Sequence, residues 1–339
     1  MAWMWRRSAG RHGNDPHGSP ASEHAPGPAE GALTEAHVAW AYRLLLDREA
    51  ESPAALSAKL AGCRTTEQLR REIMTSAEFR EKNPDYAHAN DPTVVIKMLG
   101  DGSRLFIDLS DHVIGLGILR DRYETDAVRF IGRTLRRGQH ALDVGAHIGF
   151  FTVHMAGCVG PGGSVRAFEP FEANARLLER SIVENGFQSF VTLQRAAVGA
   201  RASMARLAFA RETLNSGGAF LLSPDAEVPD QLVSAAVSVV ALDELELTRP
   251  VSFVKLDVEG AEPLVVEGAR RLLSTDRPVI LSELHGVQLA RVAGSSARDL
   301  VRQLEELGYT CHELAAEGAG APINTDALPP VCSAVFLPR

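Results

Sequence analysis

Apolar residues recur at helical spacing early in the chain and at strand spacing later, and the change of period divides it. Residues 1–33 show neither pattern: Gly, Pro, Ser, His and Ala dominate and apolar periodicity is nearly absent after Trp5. Such a stretch cannot bury enough surface to offset its ordering entropy, so it reads as a disordered tail whose Arg6, Arg7 and Arg11 are solvated. From Thr34 the spacing becomes helical. Thr34 can cap a helix whose Val38, Tyr42 and Leu45 share a face, and Ser52-Pro53 begins a second that ends near Leu60. Thr65 and Gln68 have capping-box spacing ahead of Leu69 and Ile73, and Ser76 opens a last turn carrying Phe79. These signals predict a small all-α unit over 34–86, followed by the breakers Asn83-Pro84 and Asn90-Asp91-Pro92.

Beyond the breakers, Val94–Leu99 and Arg104–Leu109 flank Gly100-Asp101-Gly102-Ser103 and predict a β-hairpin. Strand-like runs at 141–144, 164–168, 190–193, 251–256 and 279–281 then alternate with helical stretches at 171–185 and 263–273. That alternation predicts an α/β domain over 87–339, an open and largely parallel sheet with helices on both faces. Ligands of such sheets sit at the carboxyl ends of the strands, beside the switch in strand order. Residues 200–236 are less regular and read as a hairpin or loop insertion over one edge; Ser333–Pro338 reads as a late antiparallel strand.

Charge and composition narrow the function classes. Lysine plus arginine is 35 against 43 acidic residues, a net charge of −8, so binding to nucleic acid through a phosphate-facing surface is disfavoured. Apolar runs stop well short of the roughly twenty residues of a membrane span, and Met1 to Arg7 lacks the apolar core of a signal peptide, so a cytoplasmic protein is expected. Cys63, Cys158, Cys311 and Cys332 form no CxxC pair and are read as structural.

The sharpest local signal is ALDVGAHIGFFT, Ala141 to Thr152: a buried strand ending at Asp143, a turn at Gly145, and a helix beginning near Ile148 or Gly149. A second strand ends at Glu169 in AFEP, where a ribose-binding acid belongs. A dinucleotide pyrophosphate wants G-x-G-x-x-G with no anion beside it. Here Ala146-His147 occupies the middle position and Asp143 stands two residues before Gly145, which suits the amino group of a cationic amino-acid moiety. S-adenosylmethionine meets these demands, with its ribose on Glu169 and its adenine against Pro170-Phe171 and the loop at Ala196-Ala197.

A second constellation is VKLDVEGAEPLVVEG, Val254 to Gly268, where alternation puts Lys255 and Asp257 on one face ahead of Glu259 and Glu262. Charged residues ending an apolar strand are costly unless paired or placed in a cleft. SELHG, Ser282 to Gly286, delivers Glu283 and His285 to the same rim. His285, Glu259 and Asp257 are the candidate general bases for a hydroxyl acceptor, His285 first because its ordinary pKa is nearest neutrality. Asp257 and Glu283 have the hardness to hold Mg²⁺, but two carboxylates with a lysine beside them are a weak metal set, so Mg²⁺ is possible there but not favoured.

Two resemblances add to these readings. YRLLLDREAES (Tyr42 to Ser52) and IMTSAEFR (Ile73 to Arg80) resemble a short helical domain attached to glycosyltransferases and other glycan-modifying enzymes, which implies a docking module for a protein partner. DVGAHIGFF with FEP, AAVG (Ala196 to Gly199), NSGG (Asn215 to Gly218), VKLDVEGAE and SELH resembles the FkbM-type methyltransferases from about Tyr123 to His285. The resemblance implies a Rossmann-like, seven-stranded class I methyltransferase sheet and dependence on S-adenosylmethionine. It also implies O-methylation of a sugar, glycan or related metabolite, and a place near the cofactor for Tyr123-Glu124. The expected cofactor-binding set is therefore Glu124, Asp143, Gly145, Ala146, His147, Gly149, Phe150, Glu169, Pro170, Ala197 and Asp257. The commonest family form has Asn where this chain has His147. Two other readings compete: a non-catalytic adaptor of glycan machinery with a vestigial nucleotide fold, and an NAD-dependent oxidoreductase, which Asp143 and the missing middle glycine oppose.

Overall fold

In the computed structural model the chain is described over residues 33–339, apart from 64, 75, 83–92, 112–113, 211–215 and 316–317. The tail at 1–32, the breakers between 83 and 92 and Asn215 lie outside the described residues.

Four helices come first, α1 (Glu35–Leu46), α2 (Pro53–Gly62), α3 (Thr66–Met74) and α4 (Ala77–Lys82). Thr34 and Ser52 cap α1 and α2 through side chains that accept from His37 and Ala55. Thr65 Oγ1 and Ser76 Oγ accept from the backbone of Gln68 and Phe79, each at 3.1 Å. Val38, Tyr42 and Leu46 form the buried stripe of α1, stepping four residues at a time, so Leu45 is only partly covered and Leu44 stands exposed. Arg48 closes the unit, its guanidinium over the Tyr42 ring at 4.7 Å and bonded to Glu78, whose carboxyl it holds down at about 2.

The hairpin β1 (Val94–Met98) and β2 (Arg104–Asp108) is antiparallel. It is followed by α5 (Ile114–Leu119), α6 (Thr125–Thr134), β3 (His140–Val144), α7 (Phe150–Val159), β4 (Ser164–Phe168), α8 (Glu172–Glu184) and β5 (Val191–Gln194). Next come β6 (Ala197–Val198), β7 (Ser203–Ala210), β8 (Phe220–Leu222), β9 (Leu232–Val240) and β10 (Val251–Leu256). The rest is α9 (Glu262–Glu267), α10 (Arg270–Asp276), β11 (Val279–His285), α11 (Gly286–Ala293), α12 (Ala297–Glu306), β12 (Tyr309–Ala315), β13 (Gly318–Pro322) and β14 (Val331–Pro338).

The main sheet has the order β13-β12-β14-β11-β10-β3-β4-β5. The run β5-β4-β3-β10-β11 is parallel, and β14 inserts antiparallel between β11 and β12. Seven strands were expected and eight form, because β13 folds back on β12 as an extra edge. Helices cover both faces. Ala141, Phe253 and Leu281 pack with Val153 and Met155 of α7, while Leu142, Val254 and Ile280 pack with Val265, Leu272 and Leu300 on the other side. After β5 the chain returns across β3 to β10, so the switch point lies between β3 and β10.

Two expected elements differ. The single helix over 263–273 is divided at Gly268-Ala269, where the chain runs so close that a Cβ on Gly268 would stand 2.1 Å from the Gly199 carbonyl. The stretch 200–236 is no loose insertion but the centre of a second sheet, ordered β6-β9-β7-β8, in which Ser203 to Ala210 pair with Val239 to Leu232. Gly149 caps α7 at φ +91°, and an added Cβ would lie 2.3 Å from Leu178 Cδ1. Gly149→Ala is therefore expected to lower stability by about 2 kcal/mol, through strain and overpacking together. Chemical denaturation measures this, and an unchanged midpoint would contradict it.

Candidate active site

The strand ends at the switch point are brought together by a backbone contact only glycine permits. Gly145 leaves β3 at φ +83°, and a Cβ there would lie 1.7 Å from the Asp257 carbonyl oxygen. Across that contact Asp257 N donates to Val144 O at 3.0 Å, while Gly145 N and Ala146 N donate to Phe168 O at 3.1 and 2.9 Å. His147 follows in the left-handed region, φ 52°, which Asn and His tolerate better than most residues. Its N–H donates to Glu169 Oε2 at 2.8 Å, and Phe171 N donates to Oε1 at 2.7 Å. Glu169 is thus fixed from both sides, yet burial still pushes its carboxyl up to about 7.

On the β10 side, Glu262 Oε1 accepts from Val258 N at 3.0 Å and Gly260 N at 3.4 Å, holding the exit loop in shape. Gly260 sits at φ +101°, where a Cβ would come 2.2 Å from Gln288 O, and Glu259 Oε2 accepts from Gln288 Nε2 at 3.2 Å. Lys255 is buried beneath the loop, 3.0 Å from Asp257 Oδ2 and 4.9 Å from the centre of the Phe151 ring. Burial opposes its charge, but Asp257, then Asp143 and Glu124, outweigh burial and raise its pKa. Burial followed by the charge of Asp257 pushes Glu259 and Glu283 each up to about 8. Burial also raises Glu124, and it raises the Tyr123 phenol together with Asp257, Glu124 and Glu283.

These groups border a cleft of about 920 Å³, counting its open mouth. Of the expected residues, Glu124, Gly145, His147, Glu169, Pro170, Ala197, Asp257 and Glu259 stand on its wall. Five do not. Asp143 is fully buried under α7, because the strand's alternation points it to the face where Thr152 Oγ1 donates to its Oδ2 at 2.5 Å. Its Oδ1 has no hydrogen-bond partner, and burial holds the carboxyl at about 6. Ala146 is buried behind the turn, Gly149 makes room for Leu178, and Phe150 packs edge-on to Tyr123 at 5.3 Å. His285, the favoured base, instead caps α11, its Nδ1 accepting from Gln288 N at 3.4 Å. The wall also holds Tyr123, expected near the cofactor, and Glu283, expected on this rim, together with Leu207 and Phe220 of the second sheet, which the sequence did not mark. Alternation in 203–210 and 232–240 was the signal for that sheet, blurred by its many Ala and Ser residues. Among the described residues, five carboxylates line the cleft, Glu124, Glu169, Asp257, Glu259 and Glu283, and neither lysine nor arginine does. Among the described residues, no group of three or more His, Cys, Asp or Glu is placed to hold a metal ion, and no helix is long and apolar enough to cross a membrane.

Residues 143–311 match the family described as the Methyltransferase FkbM domain. The chain belongs to the FkbM methyltransferases. A comparison with curated proteins gives no match. Among solved structures, the chain is similar to the methyltransferase FkbM from Methylobacillus flagellatus KT, at 17% identity and a TM-score of 0.37, covering 66% of this chain and 52% of that one. The alignment thus spans about half of that relative's length. It is also similar to a TehB-like SAM-dependent methyltransferase from Corynebacterium glutamicum, at 11% identity, TM-score 0.38, and 66% and 93% coverage. An O-methyltransferase from Bacillus cereus in complex with SAH aligns at 15% identity, TM-score 0.35, and 63% and 80% coverage. The FkbM match leaves out residues 34–86, so the helical unit carries only its own motif resemblance.

FkbM enzymes depend on S-adenosylmethionine, and the donor set here fits that cofactor: a carboxylate clamped at the end of β4, apolar wall beside it, and an acidic remainder with neither lysine nor arginine among the described residues. The same crowding has a pH signature. A carboxyl with a native pKa above its unfolded value stabilises the fold at low pH, and that contribution is lost as pH rises through the native pKa. Glu169 and Glu262 at about 7 and Glu259 and Glu283 at about 8 place the loss between roughly pH 5 and 8.5. The melting temperature of the ligand-free FkbM protein is expected to fall across that window, less steeply in Glu283→Gln. A melting temperature that rises there would contradict the assignment.

Proposed function

We propose that this chain is an O-methyltransferase that moves a methyl group from S-adenosylmethionine to a hydroxyl of a sugar, glycan or related metabolite by in-line displacement. The carrying observation is the wall of five carboxylates, with neither lysine nor arginine among its described residues, which favours a cationic, phosphate-free nucleoside over a dinucleotide. Glu169, held by the His147 and Phe171 N–H groups, keeps lone pairs for the ribose hydroxyls. Pro170, Ala197 and Leu207 give the adenine an apolar slot, and Glu124, Asp257, Glu259 and Glu283 face the cationic end.

Bound S-adenosylmethionine supplies a methyl group already activated on a sulfonium leaving group. The protein's tasks are alignment, exclusion of water and removal of one proton. Phe220 and Leu207 cover the cleft from the second sheet, and the Arg291 guanidinium packs 3.6 Å over the Phe220 ring to hold that cover in place. Lys255 keeps Asp257 ion-paired, and Glu259 is tied to Gln288. Glu283, at the end of β11 and about 8, is the base: it takes the proton that the acceptor hydroxyl loses as its oxygen bonds the methyl carbon and the sulfur–carbon bond breaks. His285, spent on capping α11, is not. The helical unit adds nothing to this wall, and its exposed Trp40 and Leu44 support a docking role for it.

Calorimetric titration tests the reading. S-adenosylmethionine is expected to bind and NAD is not, with Glu169→Ala weakening the former by about tenfold through lost hydrogen bonds to a charged acceptor. Glu283→Gln is expected to lower turnover by roughly a hundredfold with cofactor affinity nearly kept, the scale of general-base catalysis. Tight binding of NAD and none of S-adenosylmethionine would overturn the proposal.

A further inference from the structure

A second cleft, of about 1370 Å³ counting its mouth, opens beside the first. Glu124 lines both. Ser333, on the wall of the second, pairs across β14 and β11 with Glu283, on the wall of the first. The two clefts therefore meet where the carboxylates crowd, at the end of the cofactor site that faces the cationic group. A molecule lying in the second cleft needs only to pass Glu124 to bring a hydroxyl to Glu283.

The walls of this cleft have a definite chemistry. Its charged groups are Glu124, Asp126 and Glu313 against the exposed guanidinium of Arg122, and Asp126 shares its charge with Arg129 at 2.8 Å. Asn324 and Ser333 add neutral hydrogen-bonding groups, and Ile323 and Leu328 add aliphatic surface. A phosphate or carboxylate placed there finds Arg122 as the one cation among the described lining residues, on the exposed side, and meets Glu124, Asp257, Glu259 and Glu283 toward the junction, with Lys255 already engaged by Asp257. Hydroxyl groups instead find acceptors for their protons, and their C–H faces find Ile323 and Leu328.

We propose that this second cleft is the acceptor site, and that it selects polyhydroxylated acceptors bearing no anionic group. The inference rests on the methyl-transfer reading above. Its test uses methyl-labelled S-adenosylmethionine, the full-length protein, and a metabolite extract divided by anion exchange into a retained fraction of phosphorylated, nucleotide-linked and carboxylated compounds and an unretained fraction. Label is expected in the unretained fraction. Ala327→Trp, at an exposed position on the cleft wall, is expected to bind the cofactor within about twofold of wild type yet lose at least tenfold in transfer, since an indole fills space without touching the cofactor wall. Glu313→Lys, on the exposed side of β12, is expected to raise the share of label in the retained fraction. Wild-type transfer by Ala327→Trp, or label confined to the retained fraction of the wild type, overturns the acceptor-cleft inference alone. Cofactor binding with no label in either fraction, or no cofactor binding at all, overturns the methyl-transfer reading itself and this inference with it.

Discussion

Carboxyl groups crowded onto one poorly solvated wall, with the buried Lys255 ammonium beneath them as counterion, are the constraint on which the rest of this structure depends. Like charges held a few ångströms apart outside bulk water cannot all ionise, so protons stay on some of them until a cation arrives. Glu259 and Glu283 carry that burden at about 8, and Lys255 pairs with Asp257 at the centre at 3.0 Å. The arrangement is costly in the ligand-free protein. A cationic cofactor relieves it, so the same electrostatics account for cofactor selectivity and, in the proposed reaction, for a base whose pKa lies near neutrality.

The backbone brings those carboxylates together. Gly145 admits the Asp257 carbonyl to within a distance any Cβ would forbid, and Gly260 does the same for Gln288. Glu262 then pins the Asp257–Gly260 loop through the Val258 and Gly260 N–H groups, so the exit of β10 keeps one shape. Register completes the alignment: Asp143, Lys255 and Leu281 stand in one row across β3, β10 and β11, which sets Asp257 and Glu283 side by side two residues further on. The second sheet covers the opposite wall with Leu207 and Phe220.

Much of this is legible in the sequence, for physical reasons. The β3–turn–α7 run and Glu169 were readable because a buried strand, a glycine turn and an acid at the next strand end constrain one another. Asp143 stands near the end of its strand as a cofactor ligand would, but the pleat of β3 turns its side chain under α7, where Thr152 meets it. His285 drew attention by its ordinary pKa, but a residue at the junction of β11 and α11 is as well placed to cap as to catalyse, and here it caps. Glu283, one pleat earlier, reaches the wall. The second sheet escaped because Ser and Ala fill both faces of β7 and β9, so alternation carried little hydrophobic contrast. The eighth strand escaped because β13, Gly-Ala-Gly-Ala-Pro, has the composition of a turn and is a strand only through its pairing with β12.

The central claim is that carboxyl groups which give up protons as a cation arrives are what recognise the cofactor, and proton linkage tests it most directly. Calorimetric titration of S-adenosylmethionine at pH 7.5, repeated in buffers of different ionisation enthalpy, counts the protons exchanged on binding. If cation and carboxylates meet as described, about one proton per molecule bound is released, from Glu259 and Glu283 together. Binding with no proton exchange, or with uptake, would contradict the account.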